Sequence, residues 1–124
     1  DGPARKAVLN ISEFISRVRQ MIRSTGYIPD LAGIGNLILT PKGGLKLVDI
    51  NNIVEIRLDD IIRLDDRGYP SCDGSVKAMS ILERSILGRT ISSEDILYSH
   101  FLRPERQKKV RGLEKQFYEH LGLI

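Results

Sequence analysis

Residues 27–50 read YIPDLAGIGNLILTPKGGLKLVDI, an acidic loop followed by two short apolar runs around a Pro-Gly turn. Leu37–Thr40 and Leu45–Ile50 have strand composition, and Pro41-Lys42-Gly43-Gly44 between them signals a β-hairpin. A hairpin folds its two outer ends together. Asn36, just before the first strand, is therefore expected beside Asp49, at the end of the second. An amide oxygen and a carboxylate at one sheet end suit Mg²⁺, a hard ion that takes oxygen ligands and keeps several waters. Taken alone, Asp and Asn in a short loop are equally the residues of a turn or a cap.

Outward from this stretch the periodicity is helical. Val8, Ile11, Phe14, Ile15, Val18, Met21 and Ile22 recur on one face, and Gly26 follows as a C-cap. Asn10-Ile11-Ser12-Glu13 has the form of a capping box, with an earlier start near Ala4 as the alternative. Arg17, Arg19 and Arg23 are assigned to the solvated face. Residues 71–88 form a second helix with so broad an apolar stripe that it is expected to be buried. Ser71 or Asp73 is expected to cap its start and Gly88 its end. Between these, Val54–Leu58 alternates loosely and reads as a further short strand. The pairs Asp59-Asp60 and Asp65-Asp66 read as caps or solvated turns rather than metal ligands.

Toward the C-terminus, Ser92–Asp95 and Pro104-Glu105 read as two further helix starts. The last helix carries Val110, Leu113, Phe117 and Leu121 on one side. Arg103, Arg106, Lys108, Lys109, Arg111 and Lys115 fill the other, which reads as a solvated face, with RNA, phosphate or a membrane surface as the alternative. His100 and His120 lack metal-ligand spacing. Cys72 reads as a buried structural thiol.

The order of these features resembles the C-terminal lobe of the protein-kinase-like superfamily. That family sets an Asp base, a metal-binding Asn, a hairpin and a metal-binding Asp in sequence. Asp30, Asn36 and Asp49-Ile50-Asn51 fall in that order here. The second helix is similar to the family's central buried helix, with Asp73, Glu83 and Gly88 at its characteristic places. The likeness covers about residues 4–90. It departs from the eukaryotic pattern in four ways: Ile28-Pro29 stands for His-Arg, Ala32 for a lysine, Ile50-Asn51 for Phe-Gly, and the Asp30–Asn36 gap is one residue longer. Gly68-Tyr69-Pro70 only echoes the Ala-Pro-Glu signature. These departures point to divergent bacterial branches resembling small-molecule, sugar or lipopolysaccharide kinases.

The resemblance implies an α+β, mainly α fold, with helices around one catalytic-loop hairpin, and a Mg²⁺-dependent transfer of a phosphoryl group from ATP to an acceptor hydroxyl. Asp30 would be the base, Asn36 and Asp49 the metal and nucleotide ligands, and the Asp73 carboxylate the acceptor for backbone N–H groups near Tyr27–Asp30. The family's glycine-rich loop, strand lysine and helix Glu have no counterpart here, so the chain reads as one domain, a C-terminal lobe lacking its N-lobe and expected to be inactive alone. A lobe-facing surface left bare makes a homodimer through it an expectation. The alternative reading is a non-catalytic pseudokinase or a basic helical interaction module.

Composition bounds these readings. At 124 residues the chain holds one domain at most, and 41% hydrophobic with 28% charged residues is an ordinary globular balance. A net charge of +3 is too mild to demand nucleic acid, which is not an expected partner. One cysteine excludes an internal disulfide and fits a cytoplasmic setting. No apolar run approaches the roughly 18 residues that span a bilayer, and no signal peptide is visible. The first residues, Asp1-Gly2-Pro3, are read as those of a fragment or processed product.

Overall fold

The computed structural model describes residues 2–32, 37–39, 45–47 and 53–122, the two three-residue stretches by backbone alone. It is mainly helical, with two small antiparallel ladders, the α+β balance expected from the periodicity. Helix α1 runs Gly2–Thr25 and buries Ile11, Ile15 and Val18, the centre of the predicted stripe. It starts well before the Asn10–Glu13 motif, which lies inside the helix. Gly26 ends it at φ +76°, where its N–H donates to Ile22 O at 2.9 Å. A left-handed turn of this kind favours glycine.

The expected hairpin forms between β2 (Leu37–Leu39) and β3 (Leu45–Leu47), with Leu37 opposite Leu47. Outside it lies a second ladder. Strand β1 (Tyr27–Pro29) pairs with β4 (Ile53–Glu55), placing Pro29 opposite Ile53. The chain therefore leaves this ladder at Pro29 and re-enters it at Ile53, at the same end.

Helix α2 (Ser71–Ile81) is the buried spine. Its Cys72, Val76 and Met79 join Ile11, Ile15, Ile28, Leu31, Tyr98 and Phe101 in the core. Burying each such aliphatic side chain contributes about 1.5–3 kcal/mol. Neither Ser71 nor Asp73 caps α2; Pro70 holds the N-cap position without a side-chain bond, so that expectation fails. The helix continues as a π-helical turn, Leu82–Ile86, closed by Leu87 N–H to Leu82 O at 3.1 Å. Gly88, at φ +65°, terminates it as expected. Helix α3 (Ile96–Phe101) is N-capped by Asp95, whose carboxylate accepts from Tyr98 N–H at 3.2 Å. Helix α4 (Pro104–His120) opens on proline, whose missing N–H costs nothing in a first turn. Among the described residues no helix is long and apolar enough to cross a membrane.

Candidate functional site

Asp30 follows the last residue of β1 and is only 3% exposed. A carboxylate this deep must be hydrogen-bonded to remain charged at acceptable cost. One oxygen accepts from Ala32 N–H at 3.0 Å, a tight Asx turn at the head of the loop. The same oxygen lies 3.5 Å from Ser75 Oγ. The other lies 3.8 Å from the half-exposed guanidinium of Arg67. Arg67 is held in turn by Asp65, at 3.1 Å, and that bond raises its pKa above the ordinary value.

The loop is fastened to α2 at a second point. Leu31 N–H donates to Ser75 Oγ at 3.0 Å, in a buried setting. Gly74 makes this approach possible, since a Cβ there would stand 2.8 Å from Ala32 Cβ and 3.1 Å from the Tyr69 ring. The Tyr69 hydroxyl donates to Glu114 at 2.8 Å and its ring packs edge-on against Phe117. Thus α2 braces the segment that presents Asp30, and α4 holds Tyr69 beside Gly74 of α2.

The Asp73 carboxylate is buried but does not hold this loop. Arg106 claims it through two bonds, Nε to Oδ2 at 2.6 Å and Nη2 to Oδ1 at 3.1 Å. The remaining Arg106 donors reach Asp59 O at 2.8 Å and Ile61 O at 3.0 Å, and its plane lies over Phe101. The loop-holding role expected of Asp73 belongs to Ser75, two residues further along α2. Arg106, read as part of the solvated basic face, is 4% exposed. Helical spacing alone puts it among lysines; only its long-range partner draws it inward.

Arg19 is corrected in the same way. It bonds Glu83 at 2.9 Å and Asp95 at 3.0 Å, with its guanidinium over the Tyr98 ring. Tyr98 OH also donates to Glu83 at 2.9 Å. The π-helical turn carries Glu83 into this interior network. Cys72 is buried as expected, and desolvation, with the charge of Asp73 next, pushes its thiol up to about 12. Asp59 and Asp65 act as turn carboxylates, accepting from Ile61 N–H and from Arg67 and Tyr69 N–H. Hydrogen bonds from Arg63 hold Asp59 down at about 2. His100 Nε2 lies 2.8 Å from Asp59 O.

Asn36 and Asp49 lie outside the described residues, as does their expected contact. Among the described residues no three His, Cys, Asp or Glu side chains gather as a metal site. The chain matches no family model, no curated protein and no solved structure.

Proposed function

We propose that this chain is the catalytic-lobe portion of a kinase-like, ATP-dependent phosphotransferase acting on a hydroxyl acceptor. The observation that carries the reading is Asp30: a buried carboxylate that accepts from Ala32 N–H, in a loop tied to buried helix α2 through Leu31 N–H and Ser75, ahead of a β-hairpin. A base must be held still to aim at a proton, and this loop is held at both Asp30 and Leu31.

In this reading Asp30 accepts or orients the proton of the acceptor hydroxyl. Arg67, beside it, offsets its charge and narrows the approach. Asn36 and Asp49 supply oxygen donors of the kind Mg²⁺ takes and would hold it together with the nucleotide phosphates. The chemistry such an ion would supply is positive charge against the transferring phosphoryl group. The glycine-rich loop and lysine that grip ATP belong in this proposal to a separate N-lobe, and the face left bare without it is a surface for self-association.

Calorimetric titration with Mg²⁺·ATP tests the reading. The 124-residue chain should show no micromolar binding, whereas the chain joined to a glycine-rich, lysine-bearing lobe should. Micromolar binding by the chain alone contradicts the assignment of Asp30, Asn36 and Asp49. The alternative, a non-catalytic interaction module, predicts no binding in either case.

A further inference from the structure

A groove of about 260 Å³ lies between α1 and α3, on segments whose flanking residues, 16–27 and 86–102, are all described. Ile22 and Leu97 line it, both half-buried and packed against the core. Arg19 and Asp95 join the two helices within it at 3.0 Å, and Arg19 also holds Glu83. These four are settled inside the chain.

The other three lining residues are not. Ile96 is 67% exposed, the barest large apolar side chain among the described residues. A single exposed isoleucine is ordinary, but this one stands beside a groove with apolar walls. Arg23 and Glu94 are exposed and opposite in sign. Among the described residues neither side chain has an ion pair or hydrogen bond, and neither has such a contact elsewhere. The surface thus carries an apolar centre, a vacant groove, one uncommitted cation and one uncommitted carboxylate.

We propose that a second copy of this chain docks here across a two-fold axis. Ile96 of each copy enters the groove of the other, against Ile22 and Leu97, and Arg23 of each meets Glu94 of the other. The charges select this occupant. An acidic partner would face Glu94 with its like, and a basic partner would do the same to Arg23. The surface that fits carries both signs around an apolar centre in reversed order, and a two-fold copy supplies that order automatically. Burial of Ile96 drives the contact, while the two exposed pairs set its register more than its strength. The dimer does not depend on the phosphotransfer reading or on the bare face named there.

Sedimentation velocity of the full chain tests it. At about 0.5–1 mM chain a monomer–dimer equilibrium should appear, since so small a patch supports only weak association. Salt of about 20 mM keeps the pairs unscreened, and raising it to about 500 mM should shift the equilibrium toward monomer. Arg23→Glu and Glu94→Arg should each weaken dimerisation at least about fivefold, because like charges then meet twice. An equimolar mixture of these two variants should associate again, because each chain offers the charges that the other lacks. Ile96→Ser should abolish the dimer and leave the melting temperature nearly unchanged, as expected of an exposed side chain. Where Ile96→Ser lowers the melting temperature as well, the mixture decides, since it leaves the apolar walls intact. A monomer throughout overturns the proposal. So does a dimer indifferent to both charge reversals, or a mixture no more associated than its components.

Discussion

Replacing Ser75 by Ala removes one oxygen and asks whether α2 holds the Asp30 loop. Ser75 is fully buried, and Leu31 is 5% exposed. The Leu31 N–H would lose its 3.0 Å acceptor in a place water does not reach. An unpaired buried donor costs about 1–3 kcal/mol. Against this, Ala is a better helix former than Ser by roughly 0.5 kcal/mol. The 3.5 Å contact between Ser75 Oγ and Asp30 is long enough to add little. The net expectation is a loss of about 0.5–2.5 kcal/mol in urea unfolding with an unchanged m-value. Hydrogen exchange at Leu31 and Ala32 should accelerate more than exchange in α4. A variant as stable as the parent, with unaltered exchange at Leu31, would show that the loop is held by something other than α2.

Truncating one member of the buried Asp73–Arg106 pair, as Asp73→Ala or Arg106→Leu, should cost about 3–5 kcal/mol, and the double variant should recover part of it; additive losses in urea unfolding would refute the pairing. Gly74→Ala drives a Cβ to 2.8 Å from Ala32 Cβ and should cost about 1–3 kcal/mol, visible as a lower melting temperature and shifted amide signals at Asp30–Ala32. On the alkaline side, the Cys72 thiol is raised from an ordinary 9.0 to about 12. The unfolded chain then loses this proton first, so stability is intact below pH 9 and falls as pH climbs toward 12, by up to ~1.4 kcal/mol per pH unit for each such group. Burial raises Tyr69 and Tyr98 as well, steepening that fall, and urea midpoints across the range check it.

The helices and the hairpin were legible because their signals are local. Ile11, Ile15 and Val18 repeat at helical spacing, and Gly26 and Gly88 stop helices where a left-handed residue is needed. Strand β1 was hidden because Pro29 weakens its strand signature and its partner lies at Ile53, across the whole loop. The roles of Arg19, Arg106, Asp73 and Ser75 were not legible for the same reason. Each is set by a partner 33 or more residues away. Spacing can show that a cation lies off the apolar stripe, but not that a buried carboxylate waits opposite it. Asp30 was singled out by its place before the hairpin, and its burial and the Leu31–Ser75 bond beside it add physical content to that choice.

Paramagnetic broadening by Mn²⁺, an oxygen-seeking stand-in for Mg²⁺, bears most directly on the site proposed at Asp30, Asn36 and Asp49. Two side-chain ligands without substrate phosphates make a weak site, so millimolar ion is required. The amide signals of Asp30–Ala32, Leu37 and Leu47 should broaden first, and Asp49→Asn should abolish the effect. Broadening centred instead on Asp59-Asp60 or Asp65-Asp66, or broadening at Asp30 that survives Asp49→Asn, would contradict the metal site and with it the phosphotransferase reading.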